Sequence, residues 1–349
     1  MLEGAHVDIR IGVALPRTGP VAAIGQQITN GVDAAAKVLN ENAPAGEKIV
    51  LDIKDDACDP KQAVSVANRF VTEGVKLVVG HVCSGASIVA SDIYAENGIL
   101  MTSPASNSAK FTDRGLAGIF RVYGRDDDQG RLDAEIIAKR YPGAKIAIVH
   151  DKSPFAKGLA DATKGNLNKL GVQEAMYEAI NPGERDYSAL ITKLKAANIS
   201  LVYYGGHPQE MGQLLRAALD QDFKAQFFGA SGIATSEVWA IAGQAAQGTL
   251  FTFTPDPRKR PEAASAVEAL RAQNFEPEGF TLYGYAAVQF IGEAARRIHS
   301  GDPTNIEAEL KSERFDSVLG KVGFDKKGDI DAPGYVLYIW KDGKFDTTN

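Results

Sequence analysis

Cysteines are scarce in this sequence, and long apolar runs are missing from it. The only cysteines among its 349 residues are Cys58 and Cys83, which excludes a framework of several disulfides. No segment approaches the roughly 20 consecutive apolar residues that a transmembrane helix needs. Lysine and arginine (38) are outnumbered by aspartate and glutamate (44), whereas nucleic-acid-binding proteins present basic stripes. We therefore expect no membrane insertion and no nucleic-acid partner.

The motifs of common catalytic and metal sites are also missing. No stretch matches a P-loop, and no G-x-G-x-x-G follows the first apolar segment. The 5 histidines are scattered, without H-E-x-x-H or a Cys/His grouping at metal spacing. We interpret His81, close to Cys83 on one predicted strand, as a core histidine. Ser84 and Ser231 follow predicted strands but lack the G-x-S-x-G of a nucleophile elbow. We expect no enzyme activity, no cofactor and no metal.

Neither the beginning of the chain nor its two cysteines decide in which compartment the protein works. The beginning, MLEGAHVDIRIGVAL, has no basic leader followed by an apolar stretch, and we interpret it as the start of a mature sequence. The cysteine count alone does not decide the state of the thiols. Two cysteines would be free core thiols in a cytosolic protein and a disulfide in an exported one.

Apolar segments of strand length alternate with segments of helical spacing along most of the chain. Residues 7–15 and 48–56 alternate as strands do, and 76–83 form a continuous apolar run typical of buried parallel strands. Residues 25–42 and 60–74 have the apolar spacing of helices. Strands regularly separated by helices predict an α/β fold with parallel sheets and helices on both faces.

The length of the chain favours two domains, since domains usually contain about 100–200 residues. The alternation of strands and helices restarts after GIFRVYGRDDDQG, near residue 124. Two successive series of this kind predict two similar α/β lobes.

Small and polar residues follow the predicted strands, where ligands bind in open α/β sheets. These loops are CSGAS (83–87), SPASN (103–107), DKSPF (151–155), GGHPQ (205–209) and GASG (229–232). Ser84 has two interpretations at the start of its helix. It either caps that helix or helps the helix N-terminus to hold an anion. The local residues alone favour the cap.

Seven segments, taken together, resemble the periplasmic branched-chain amino-acid binding proteins of ABC importers. They are DDACDPKQAVSVANRFV, GHVCS, DIYAENGILMTSPAS, IVHDKSPFAKGLA, YSALITKLK, YYGGHPQEMGQLLRAA and FDKKGDIDAPGY. The resemblance runs in register from about Ile9 to Trp340. It implies the type I periplasmic binding protein fold, with two doubly wound α/β lobes joined by three crossovers and a ligand cleft that closes by a hinge.

The resemblance also implies lobe boundaries and a disulfide. One lobe would comprise residues 1–124 and 254–329, and the other residues 125–253 and 330–349. The family equivalents of Cys58 and Cys83 form a disulfide beside the ligand. The implied ligand-binding residues are Ile24, Cys83, Ser84, Ala105, Asn107, Phe155, His207, Ser231 and Phe280.

The implied roles divide the ligand between several side chains. Ser84 would hold a carboxylate with its hydroxyl and N–H groups, and Ala105 would offer backbone groups. Asn107 stands where the family commonly has threonine, and Phe155 and His207 stand where it has tyrosines. Ile24 and Phe280 would shape the pocket for the ligand side chain.

Ser231 is the largest departure from the family pattern, because members that bind α-amino acids have an acidic residue there for the ammonium group. A buried ammonium without an anionic partner is costly. Either another acid, such as Glu210 or Asp151, takes over, or the ligand is a keto, hydroxy or aromatic acid. His207 would then either bind an oxygen of such a ligand or pack in the wall of the cleft.

The predicted function is that of an extracytoplasmic solute-binding protein. It would be a periplasmic monomer that delivers a small carboxylate, an amino acid or a close relative, to ABC permease subunits in the inner membrane. Two other classes stay open: a ligand-sensing regulatory domain of the same fold, and an enzyme on a two-lobe scaffold.

Overall fold

The structure is a computed structural model that describes residues 7–43, 47–332 and 334–348. The strands are β1 (Val7–Leu15), β2 (Glu47–Asp55), β3 (Leu77–Gly80), β4 (Leu100–Ser103), β5 (Ile119–Arg121), β6 (Ile146–His150), β7 (Met176–Ala179), β8 (Leu201–Gly205), β9 (Gln226–Gly229), β10 (Leu250–Phe253), β11 (Phe315–Ser317), β12 (Gly320–Val322), β13 (Val336–Lys341) and β14 (Lys344–Thr347).

The helices alternate with these strands. They are α1 (Ala22–Glu41), α2 (Pro60–Thr72), α3 (Ser84–Glu96), α4 (Ala109–Thr112), α5 (Asp126–Arg140), α6 (Pro154–Lys169), α7 (Ser188–Ala196), α8 (Pro208–Asp220), α9 (Glu237–Ala242), α10 (Ala264–Arg271), α11 (Thr281–Arg297) and α12 (Pro303–Ser312). Among the described residues, no helix combines the length and the apolar character that crossing a membrane requires.

The chain divides into two compact units. The first comprises Met1–Tyr123 and Asp256–Ala332, and the second comprises Gly124–Pro255 and Pro333–Asn349. The chain therefore passes from one unit to the other after Tyr123, after Pro255 and after Ala332. The lobe boundaries expected from the sequence lie near residues 124, 254 and 329.

The first unit is built on a five-stranded parallel sheet of order β2-β1-β3-β4-β5. In β1, Ile11 pairs with Leu51 on one side and with Leu77 on the other. Every residue of β3 and of β4 is buried. Such continuous apolar strands form because helices cover both faces of a parallel sheet.

Helix α1 packs closely against α11 in this unit because of a glycine. A Cβ atom on Gly31 would lie 1.9 Å from the carbonyl oxygen of Thr281. The buried face of α1 includes Ile24, Ile28 and Val32, at the spacing of one helical stripe. The close approach of the two helices thus holds the start of α1, with Ile24, in place.

The second unit is built on a seven-stranded sheet of order β14-β13-β10-β9-β8-β6-β7. The strands from β7 to β10 are parallel, and β13 and β14 join the edge of the sheet in antiparallel pairs. All residues of β6 and β8 are buried. Because β6, β8 and β9 are parallel neighbours, their carboxyl ends lie side by side at one edge of the sheet. This architecture confirms the predicted α/β class.

Candidate functional site

Ser84 is the first residue of α3, and it does not cap that helix. The capping position is Cys83, whose side chain makes no capping hydrogen bond. The hydroxyl oxygen of Ser84 instead accepts a hydrogen bond from the backbone N–H of Ser108, at 3.2 Å. A hydroxyl that accepts in this way keeps its own proton available to donate. The interpretation of Ser84 as a helix cap is therefore wrong.

Strand β3 ends three residues before Cys83, at Gly80. Gly80 has φ +128°, and a Cβ atom there would lie 2.2 Å from the carbonyl oxygen of Ala14 in β1. Only glycine fits this close approach of two backbones. The expectation that His81 and Cys83 lie on one strand is wrong, because the turn towards α3 has already begun.

His81 is a fully buried histidine with a partner on each ring nitrogen. Its Nδ1 lies 2.6 Å from a carboxylate oxygen of Asp56, and its Nε2 lies 3.0 Å from the hydroxyl of Tyr94. These contacts confirm its interpretation as a core histidine. The other carboxylate oxygen of Asp56 accepts from the backbone N–H of Cys58, at 2.9 Å.

Cys58 and Cys83 form a disulfide, with Cα atoms 5.5 Å apart. The pairing implied by the resemblance is thereby confirmed. The bond joins the loop after β2 to the residue that precedes Ser84, so it ties the start of α3 to that loop.

The loop after β4 is held by hydroxyl groups. The side chains of Ser87 and Ser103 donate to the carbonyl oxygen of His81, at 3.0 and 2.7 Å. The hydroxyl of Ser106 donates to the carbonyl oxygen of Val82, at 2.9 Å. This polar cluster connects the turn before α3 to the loop that carries Ala105 and Asn107.

Asn107 is 2% exposed, and its amide nitrogen Nδ2 has no hydrogen-bond partner among the described residues. A guanidinium nitrogen of the buried Arg121 donates to the carbonyl oxygens of Ser106 and Ser108, on either side of Asn107, at 3.2 and 2.9 Å. The backbone around Asn107 is therefore fixed, while its side chain keeps a free donor. Ala105, in the same loop, is half-buried.

Ile24 and Phe280 are both buried in the first unit. Phe280 directly precedes α11, and its backbone N–H donates to the side-chain oxygen of Gln27 in α1, at 3.1 Å. Its ring lies 5.1 Å from the ring of Tyr123, measured between centroids. Both residues are thus apolar groups held at the ends of the packed pair α1 and α11.

In the second unit, Asp151 and His207 follow the neighbouring strands β6 and β8 and form a close pair. His207 Nδ1 lies 2.5 Å from Oδ2 of Asp151, and the backbone N–H of His207 donates to the same oxygen, at 3.2 Å. Burial alone would lower the pKa of His207. The charge of Asp151, the hydrogen bond between them and the charge of Glu210 outweigh burial and raise that pKa.

The pKa of Asp151 shifts in the direction that matches the shift of His207. Burial acts to raise the pKa of Asp151, but the charge of His207 and hydrogen bonds from His207 and Ser153 lower it overall. Each group thus shifts the pKa of the other towards its own charged form. Phe155, in the first turn of α6, lies edge-on to the His207 ring, with 5.3 Å between centroids.

Ser231 follows β9 and is 2% exposed. Its hydroxyl donates to Oε1 of Gln129 in α5, at 3.1 Å. Nε2 of Gln129 donates to the carbonyl oxygen and the hydroxyl of Thr252, at 3.0 and 2.9 Å. The hydroxyl of Thr252 then donates to Asp133, at 2.6 Å. Ser231 is thus the end of a row of buried hydrogen bonds that reaches a carboxyl group.

Asp133 is fully buried, and its carboxylate oxygens accept hydrogen bonds from two neutral side chains, those of Thr252 and Tyr203. Burial raises the pKa of Asp133 to about 7, against the hydrogen bonds from Thr252 and Tyr203, which lower it. The hydroxyl of Tyr203 donates to Asp133 at 2.6 Å.

Reasoning from the sequence missed Gln129, Asp133 and Arg121. A sequence pattern for the first two exists in α5, where Gln129 and Asp133 lie on the same helical stripe as the buried Ala134 and Ile137. Polar residues at core positions of a helix indicate a buried polar network. Arg121, at the end of the short strand β5, has no such sequence pattern around it.

Comparisons with known proteins find similar sequences and similar folds. Residues 8–344 match the sequence model of a family described as periplasmic binding protein. The chain is 48% identical over 347 residues to the Leu/Ile/Val-binding protein homolog 1 of Brucella melitensis, covering 98% of this chain and 94% of that protein.

Two solved structures are similar in fold over nearly the whole chain. The leucine binding protein LivK from Thermotoga maritima has a TM-score of 0.89 at 27% identity, covering 97% of both chains. An ABC transporter substrate-binding protein from Desulfitobacterium hafniense, in complex with Leu, has a TM-score of 0.80 at 25% identity. That likeness covers 98% of this chain and 100% of the other.

Proposed function

Because the chain belongs to the family of periplasmic binding proteins, we propose that it binds a small carboxylate, an amino acid or a close relative, for an ABC importer. The membership confirms the resemblance and the type I fold predicted from the sequence. The relatives support this ligand class, since the protein of Brucella melitensis is named for Leu/Ile/Val and the structure from Desulfitobacterium hafniense holds Leu.

The observation that carries the proposal is a set of unused donors in the first unit. The N-terminus of α3 has no side-chain cap, and the first N–H groups of any helix lack partners within it. The hydroxyl of Ser84 keeps its proton to donate, and Nδ2 of Asn107 is buried without a partner in the described part of the chain. Such donors, together with the helix dipole, suit a carboxylate.

The second unit would contribute groups of a different kind. Phe155 offers an aromatic edge beside His207, and Nδ1 of His207 is already taken up by the carboxylate of Asp151. Ser231 offers a hydroxyl where other members have an acid. We assign the ligand backbone to these groups and the ligand side chain to Ile24 and Phe280, with Ala105 and Cys83 beside the carboxylate.

The remaining parts of the function follow from the family. The protein would work outside the cytoplasm as a monomer, bind its ligand without chemical turnover and deliver it to permease subunits in the inner membrane. Ligand binding would close the two lobes on their hinge, as the resemblance implies.

The test is the replacement Ser84→Ala, measured by calorimetric titration with L-leucine, L-valine and L-phenylalanine. A hydrogen bond to a charged group contributes about 1.5–3 kcal/mol, so we expect the affinity to fall by roughly 10- to 100-fold. Ser312→Ala, on the exposed end of α12, is the matched control and should bind like the parent protein. Unchanged affinity of the Ser84→Ala protein for every ligand that the parent binds would contradict the role of Ser84.

A further inference from the structure

The amide group of Gln129 can have only one orientation. One of its terminal atoms lies 3.0 Å from the backbone carbonyl oxygen of Thr252. A carbonyl oxygen can only accept a hydrogen bond, so this atom must be the nitrogen. The hydroxyl of Thr252 agrees with the assignment, because it donates to Asp133 and therefore accepts from Gln129.

The orientation of Gln129 determines what Ser231 can do. The opposite atom of the amide is an oxygen, and it lies 3.1 Å from the hydroxyl oxygen of Ser231. An amide oxygen only accepts, so Ser231 must give its single proton to Gln129. What remains on the Ser231 hydroxyl is its lone pairs, and these can only accept from a further partner.

We propose that Ser231 is a specificity-determining acceptor, which selects ligands with a donor on the α-carbon, an ammonium or a hydroxyl group. The inference rests on the proposed function, since it takes Ser231 to contact the ligand. A keto acid would place the lone pairs of its oxygen against those of Ser231, and two acceptors without a proton between them repel each other. The first unit would receive the carboxylate of either ligand equally well.

The two donor-bearing ligand classes share this chemistry and differ in charge. An ammonium group has three protons, and a hydroxyl group has one. The matched probes are therefore L-leucine, the α-hydroxy acid and the α-keto acid with the same isobutyl side chain. The series is repeated with the phenylalanine skeleton, so that the pocket for the side chain does not decide the result.

The experiment is a calorimetric titration of the parent protein and of Ser231→Ala with these probes. We expect the better of the two donor-bearing ligands to bind the parent at least about tenfold more tightly than the keto acid. In Ser231→Ala that ratio should fall to about threefold or less, and Ser231→Thr, which keeps the hydroxyl, should restore it. The control is Ser236→Ala, which replaces an exposed serine of the same segment. Its ratio of affinities should equal that of the parent protein.

The outcomes separate this inference from the proposed function. A keto acid that binds the parent as tightly as both donor-bearing ligands overturns the role of Ser231 and leaves carboxylate binding intact. A ratio that survives in Ser231→Ala overturns it as well. If none of the probes binds the parent protein, the proposed function fails, and the inference that depends on it fails with it.

Discussion

Replacing Asp133 with asparagine should make the second unit more stable at alkaline pH than at acidic pH, relative to the parent protein. Asp133 is buried in α5 between Thr252 and Tyr203, and both neighbours are neutral donors. Asparagine has nearly the same shape and never ionises. The replacement therefore removes the titration and keeps most of the packing.

The magnitude follows from the shifted pKa of Asp133, which rises from its ordinary 3.8 to about 7. A raised pKa means that the folded protein binds the proton more tightly than the unfolded chain does. The stability from this group is thus complete below about pH 4 and is lost as the pH rises through about 7. At about 1.4 kcal/mol for each pKa unit, the full loss is about 4 kcal/mol, of which about 2.5 falls between pH 5 and pH 8.

The assay is urea-induced unfolding of both proteins at pH 5 and at pH 8, with the free energy of unfolding compared at each pH. We expect the difference between Asp133→Asn and the parent to shift by about 2.5 kcal/mol in favour of the variant between the two pH values. Asp128→Asn, with an exposed side chain on the same helix, is the control for a lost aspartate. A difference that stays constant between pH 5 and pH 8 would refute the reasoning.

Two further changes test the packing around the site in the first unit. Replacing Cys58 and Cys83 by serine opens a loop of sequence separation 25, which the chain-entropy relation converts to a loss of about 3.5 kcal/mol in the free energy of unfolding. Denaturant titration checks this value, and a loss below about 1 kcal/mol would contradict it. Gly31→Ala should destabilise by at least about 2 kcal/mol, because its Cβ would meet the Thr281 carbonyl. Gly165→Ala in α6, where a Cβ meets nothing within 4 Å, should instead stabilise by up to about 1 kcal/mol in the same titration, and equal effects would refute the packing argument.

The sequence was sufficient for the strands and helices whose pattern is carried by apolar spacing. The prediction of a strand over 7–15 matches β1, and the predicted helices 25–42 and 60–74 differ from α1 and α2 only at their ends. The predicted strand 76–83 was too long, because β3 ends at Gly80. Apolar residues continue beyond the strand there, and periodicity alone does not reveal a backbone that has to pass Ala14.

The roles of the polar residues were less accessible from the sequence. The position of Ser84 at the start of a helix was predicted, but its local residues favoured a cap. The partner that decides otherwise is the backbone N–H of Ser108, which lies in the next strand–helix connection. The same limit applies to Ser231, whose partner Gln129 is more than a hundred residues away. Contacts of this kind depend on which helices and loops the fold brings together.

On the proposed assignment, the row of hydrogen bonds behind Ser231 offers a physical reason why position 231 itself needs no acid. Each proton in the row points towards Asp133: that of Ser231 to Gln129, those of Gln129 to Thr252, and that of Thr252 to the carboxylate. Hydrogen bonds that share one direction polarise each other, so an ionised Asp133 strengthens Ser231 as an acceptor. By reciprocity, an ammonium group bound at Ser231 would favour the ionised form of Asp133. On the proposed assignment, an ammonium ligand and the proton of Asp133 would therefore compete through neutral side chains, and binding of the ligand would lower the pKa of Asp133 from about 7.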